Sequence, residues 1–215
     1  MSSRPGRGRK DPTWACYHTE LHVVGVADGS FGLIGGVIGA SFAVLVAEEL
    51  FASGCEVLLS ITSAGQITPV RTPPCFILID RAIRDEGTSY HYMPPARYAE
   101  ADASLLDIAE QALPGNGFSV ERGTTWTTDA PFRETAATIA SRRDEGALAV
   151  EMEAAALYAF ANARGKRVLC FAHVTNQMGL SDGDFEKGEA NGARDALRLI
   201  DALVGSVDRL SPPLG

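Results

Sequence analysis

Two glutamates, Glu151 and Glu153, interrupt an otherwise apolar run, ALAVEMEAAAL over 147–157. A carboxylate taken out of water needs donors around it, because an unpaired buried charge is strongly destabilising. On a strand, residues two apart point the same way, so the pair would face one site. On a helix the same two side chains would simply face water. A second run, VLCFAHVTNQMG over 168–179, passes from apolar residues into His173, Thr175, Asn176 and Gln177. Ligands of α/β sheets bind beyond the carboxyl ends of strands, which makes Asn176 and Gln177 candidate contacts. Ordinary loop polarity is the alternative.

Three further segments concentrate polar chemistry. LSITSAG over 59–65 places Ser60, Thr62 and Ser63 after a strand and before Gly65. Read as a loop, it can offer hydroxyls and backbone N–H groups to an anion. No lysine follows, so it is not a P-loop. RDEGTSYHY over 84–92 packs charged, hydroxyl and aromatic side chains together. GTTWTTDAPFRET over 123–135 holds Trp126 and Phe132, which can stack on a flat ring, and Arg133, which can donate to a carbonyl edge. A surface loop with a satisfied internal network is the plain alternative for both.

The elements that must carry these residues follow from hydrophobic period. Apolar runs predict strands over 21–26, 31–38, 57–61, 75–79, 118–124, 148–152 and 168–174. Amphipathic spacing predicts helices over 41–53, 103–112, 154–164 and 188–207, with Gly54 and Gly165 as stops. Strands alternating with helices imply an α/β layered fold in one domain. Residues 29–47 carry no charge over 19 positions, but five of the first eleven are glycine. That composition makes a poor membrane helix and a better strand, turn and helix.

Composition sets the boundaries. The chain has 215 residues, 46% hydrophobic and 21% charged, with a net charge of −8. Such a chain has the apolar surface for a folded core. The first ten residues carry +4 and no acid, which leaves −12 on the rest. An acidic body repels nucleic acid and anionic membrane, so neither is an expected partner. Residues 1–12 read as a disordered basic tail and 13–215 as the domain. Cys16, Cys55, Cys75 and Cys170 are far apart, without metal-site spacing, as suits reduced thiols in a cytoplasm. No signal-peptide pattern follows the basic start.

Taken in order, SITSAG at 60–65, RDEGTS at 84–89, GTTWTTD at 123–129 and VEMEAAAL at 150–157 resemble the nucleoside phosphorylase family. The strand ending at Asn176 completes the resemblance. That family includes purine nucleoside phosphorylases, uridine phosphorylases and related nucleosidases. The resemblance implies a single α/β domain around a twisted mixed β-sheet, a partly closed barrel flanked by helices. It implies cleavage of an N-glycosidic bond through an oxocarbenium-like sugar, with phosphate as the attacking group in phosphorylases and water in nucleosidases. It places Glu153 on the ribose 2′-hydroxyl, Met152 under the sugar, and Glu151 as a neighbouring contact or structural partner. Trp126, Thr127, Phe132 and Arg133 fall on the base side. Ser63 keeps a hydroxyl where the family binds phosphate, with Thr62 and Ser60 in the same segment.

The departures carry expectations too. Purine-type members end the last strand with Ser-Asp, and uridine-type members carry Asn then Arg; here Asn176 is followed by Gln177. An amide donates a hydrogen bond but is no general acid. By its Asn the resemblance leans to the pyrimidine side, without matching it at Gln177. Ser60 stands where uridine-type members have an arginine, and the family's first strand and loop have no counterpart. His18, near Glu20, is the candidate substitute contact, reaching a neighbouring subunit. The family's dimers or trimers of dimers imply a homo-oligomer, with Tyr90, Tyr92 and Tyr98 suited to an interface. No metal or organic cofactor is implied, and phosphate is a cosubstrate. Phosphorolysis, hydrolysis on the same scaffold, and nucleoside binding without turnover are the three readings.

Overall fold

A computed structural model describes residues 8–26, 29–72, 74–113, 120–177, 192–204 and 206. The chain opens on an antiparallel meander of β1 (Arg9–Lys10), β2 (His22–Val26) and β3 (Gly29–Leu33). Arg9 and Lys10 pair with Val23 and His22, and the Asp11 N–H donates to the Leu21 carbonyl. The disordered-tail expectation is therefore corrected for residues 9–12; residues 1–7 lie outside the described residues. The strand expected over 31–38 stops at Leu33. Gly36 then turns the chain at φ +77°, and Gly39 at φ +89° delivers it into α1 (Ala40–Ala52).

The main sheet uses β4 (Val57–Gln66), β5 (Cys75–Asp85), β6 (Tyr98–Glu100), β7 (Val120–Thr128), β8 (Ala147–Glu151) and β9 (Arg167–Gln177). Its order is β6-β5-β7-β8-β4-β9, and β5 also pairs with β9, so five strands close on themselves. β5, β7 and β8 run parallel, as do β4 and β9, and the two groups meet antiparallel at β4–β8 and β5–β9. Closure removes the free edges that an open sheet exposes.

Helices cover both faces. α1 and α4 (Ala154–Arg164) pack on one, where Val44, Ala47, Tyr158 and Phe160 meet Ile77, Ile79, Cys170 and Ala172. α2 (Ala103–Ala112) and α5 (Ala193–Val204) cover the other, with Leu105, Leu106, Leu199 and Leu203 against Phe76, Leu78, Leu169 and Phe171. Each such fully buried side chain is worth roughly 1.5–3 kcal/mol of apolar transfer. Tyr158 also stitches α4 to the sheet: its hydroxyl donates to the Ile79 carbonyl at 2.6 Å and accepts the Cys170 N–H at 3.1 Å.

α3 (Ala136–Asp144), β1 and β6 were not foreshadowed by the hydrophobic pattern. α3 buries none of its residues, so it carries no apolar stripe, although Thr135 caps it by accepting the Thr138 N–H. Asp102 caps α2 in the same way, accepting the Ser104 and Leu105 N–H groups. β4, β5 and β7 run past their expected ends, where polar or small residues such as Thr62, Ser63 and Gly65, Asp80 and Arg81, and Thr125 and Thr127 interrupt the apolar runs. The outer parts of the helix expected over 188–207 lie largely outside the described residues.

Candidate functional site

Glu151 ends β8 and Glu153 begins α4, two residues apart and both buried. The Glu151 Oε2 accepts the Glu153 and Ala154 N–H groups, each at 2.7 Å. Its Oε1 accepts the Thr127 hydroxyl at 2.5 Å and the Thr125 hydroxyl at 3.1 Å. Thr127 Oγ1 in turn accepts the Ala155 N–H at 3.0 Å. The first N–H groups of a helix have no partner within it. Here a strand-end carboxylate and a neighbouring threonine supply them, where a capping side chain at Glu153 does not.

Glu153 points to a second helix start. Its Oε1 accepts the Gly39 N–H at 2.7 Å, at the head of α1. Its Oε2 accepts the Thr62 hydroxyl at 2.5 Å and, more distantly, the Met152 N–H at 3.3 Å. Register explains the Thr62 contact. β4 meets β8 antiparallel with Gly65 opposite Val150, so three residues back along β4 lies opposite three residues beyond Val150. Two helix N-termini thus face the two carboxylates, each giving backbone N–H groups to one of them. Burial pushes the Glu151 carboxyl up to about 7, with the adjacent Glu153 charge adding and the Thr127, Ala154 and Glu153 donors opposing.

The structure sorts the other sequence candidates. Thr62 and Ser60 alternate onto one face of β4, but Ser63 points to the other and is exposed beside His173 in the β4–β9 register. The loop reading of this segment is corrected, since all of it is strand. Thr127 serves Glu151 and α4 and is fully buried, so it has no atom left for a base. Trp126 is corrected likewise: it is 2% exposed, packed with Ile67, Ile83 and Val150, and its indole N–H donates to Asp85 at 2.9 Å. Phe132 and Arg133 sit on a single 3-10 turn after β7, with Phe132 83% exposed.

Asn176 and Gln177 close β9, their backbones beside Gly65 and Gln66 of β4. That register brings the end of β9 next to the strand that carries Thr62. His18 is exposed between β1 and β2, at φ +60°, its ring edge-on to Tyr17. Met152 is half-buried between the two glutamates. Glu151, the remaining candidate contact, has both carboxylate oxygens occupied by donors of its own chain.

The 84–92 segment is an internal network. Buried Arg84 donates to Ser89 Oγ at 2.8 Å and to the Pro94 carbonyl at 2.7 Å, and its guanidinium lies over the Tyr90 ring. Glu86 Oε2 accepts the Ser89 N–H at 2.9 Å. His173 is buried and stacked on Phe76, and burial lowers its pKa. Among the described residues no three His, Cys, Asp or Glu side chains gather as metal ligands. No helix of the described residues is long and apolar enough to cross a membrane.

Sequence reasoning passed over Gly39 and Thr125 as site residues. The signal for Gly39 was its place at the end of a glycine-rich run just before a helix, and the structure puts it at φ +89° and ψ 151°, a region open essentially to glycine alone. Thr125 gave none, because a threonine on a strand is ordinary.

Known proteins resemble this chain in sequence and in fold. The chain is 27% identical to a guanosine phosphorylase of Halorubrum lacusprofundi over 172 residues, 80% of this chain and 68% of that one. It is 31% identical to a uridine phosphorylase of Thermococcus kodakarensis over 183 residues, 77% of this chain and 65% of that one. The chain therefore spans about two thirds of the length of these relatives. Its fold superposes on a crystal structure of uridine phosphorylase from Vibrio fischeri with a TM-score of 0.72 at 19% identity, covering 95% of this chain and 82% of that one. The profile of the Phosphorylase superfamily matches residues 4–205, from β1 through α5. This match, over nearly the whole chain, makes the chain a member of the Phosphorylase superfamily.

Proposed function

We propose that this chain cleaves the N-glycosidic bond of a nucleoside, with phosphate as the attacking group. One observation carries the reading: Glu153 is a buried carboxylate whose two oxygens are anchored by Gly39 and Thr62, and among the described residues Oε1 accepts from Gly39 alone. A ribose hydroxyl donates there. As the C1′–N bond breaks, its electron pair leaves with the base and the sugar becomes cationic. A fixed carboxylate nearby in a low-dielectric setting then stabilises the transition state more than the ground state. A phosphate oxygen forms the new C1′–O bond, and the base departs with the bond's electron pair as an anion that takes its proton from water.

In this reading Asn176 donates an amide hydrogen bond to the base and Gln177 lies beside it, on the pyrimidine side of the family. Met152 lies under the sugar, and Phe132 and Arg133 close over the base from the turn after β7. Ser63 is the hydroxyl that meets phosphate. His18 comes from a neighbouring subunit of a dimer or trimer of dimers. The four free thiols suit a cytoplasmic setting.

Hydrolysis is the second reading, and one observation favours it. Thr62, one of the three hydroxyls on this segment, gives its proton to the Glu153 Oε2 at 2.5 Å and so has none left for an anion. A dianion held by hydroxyls without cations is held weakly.

Base release from purine and pyrimidine ribonucleosides, with and without phosphate, separates the readings. The expected result is phosphate-dependent release that falls by roughly 10²–10³-fold in Glu153→Gln. Equal release without phosphate makes the chain a hydrolase. Nucleoside binding with no release from any member of the panel makes it a binding protein and ends the enzymatic reading.

A further inference from the structure

We infer that Thr62 is a positioning residue for Glu153 rather than a ligand of phosphate; the inference rests on the nucleoside-cleaving reading above. A threonine hydroxyl has one proton to give. At Thr62 two acceptors are within reach, the Glu153 Oε2 at 2.5 Å and the Ser63 carbonyl at 3.3 Å. The carboxylate is closer and charged, so it takes the proton. What remains on Thr62 Oγ1 is lone pairs, and an anionic oxygen gains nothing from those.

The consequence for Glu153 follows by counting acceptors. Among the described residues, Oε2 already takes Thr62 and the longer Met152 N–H, while Oε1 takes only Gly39. The carboxylate is therefore held at both oxygens by α1 and β4, and one strong acceptor position stays open, on Oε1. It grips one sugar hydroxyl. Thr62 sets the rotation of the carboxylate about its last torsion, which decides where that open position points. Ser63, one residue on and on the opposite face of β4, does not share this job.

The test uses Thr62→Val, which keeps the shape and removes the hydroxyl, and Thr62→Ser, which restores it. Each is made alone and together with Glu153→Gln, and base release is followed with nucleoside and phosphate varied separately. Loss of one charge-assisted hydrogen bond is worth roughly a ten- to hundredfold change. Thr62→Val is expected to lower kcat/KM for nucleoside by about that factor. KM for phosphate should stay in place, Thr62→Ser should recover most of the loss, and Thr62→Val should add little once Glu153→Gln is present. A raised phosphate KM in Thr62→Val, in both backgrounds, overturns the inference and returns Thr62 to the phosphate site.

A chain that turns over no nucleoside sinks the functional reading but leaves the clamp testable. Hydrogen exchange at the Gly39 amide then decides. It should speed up in Thr62→Val, where the carboxylate is loosened, and hold in Thr62→Ser. Unchanged Gly39 exchange in Thr62→Val overturns the inference.

Discussion

Glu151 receives two backbone N–H groups and two threonine hydroxyls, yet burial and the nearby Glu153 charge push its carboxyl from the ordinary 4.5 up to about 7. Between those values the folded chain holds the proton more tightly than the unfolded chain. The stability this group contributes is therefore complete below about 4.5 and is lost as pH rises through about 7. Glu151→Gln removes the titration but keeps most of the geometry. Its carbonyl replaces Oε2 under the two N–H groups, and its amide donates to Thr125. The Thr125 and Thr127 protons both lose their acceptor, a cost of about 1 kcal/mol each. The melting temperature of the wild type relative to Glu151→Gln should accordingly fall between pH 5 and pH 8. His173, whose lowered pKa favours folding at the high end of this range, acts in both proteins and cancels in the difference. A difference independent of pH over that range would show that Glu151 stays charged throughout.

The start of α1 is where element and site meet, because Gly39 both shapes the turn and binds Glu153. Gly36 has a similarly left-handed φ and no recorded contact with the carboxylate. A Cβ at either position meets nothing within 4 Å, so the strain of an L side chain is the whole steric effect. Gly36→Ala and Gly39→Ala should lose comparable stability, roughly 1–3 kcal/mol each in chemical unfolding. Only Gly39→Ala should lose base release beyond what its stability explains; equal loss in both would reduce Gly39 to a turn residue. Much of this scale was legible in the sequence. α2 and α4 lie where period and caps put them, and both glutamates of the 147–157 run are buried at the start of α4. What was hidden has physical reasons. α3 is exposed and has no stripe, and β4 hid its last residues because Ser, Thr and Gly read as loop. Trp126 and Thr127 read as base contacts because burial between β5, β8 and α3 depends on neighbours distant in the chain. The pairing of Thr62 with Glu153, 91 residues apart, needs strand register that no local pattern encodes.

At the scale of the molecule, Glu153 is tied to partners 114 and 91 residues away in the chain. One partner heads a helix on one face of the sheet; the other lies on β4, where the parallel groups join antiparallel. A ligand hydroxyl on Glu153 therefore contacts a point that exists only when the strands have closed. Such a ligand binds the native chain and not the unfolded one, so its binding energy adds to the global stability. At a hundredfold excess over Kd that is about 2.7 kcal/mol. For a chain of this size it corresponds to a rise in Tm of roughly 5–10 °C. The expected outcome is one cooperative transition moved upward by a ribonucleoside in the wild type. The same nucleoside should move it much less in Glu153→Gln, in which the amide retains the Gly39 and Thr62 partners and loses the charge. An equal rise in both proteins would place the ligand somewhere other than this carboxylate. A rise confined to an early, partial transition would mean that the bound segment folds apart from the barrel.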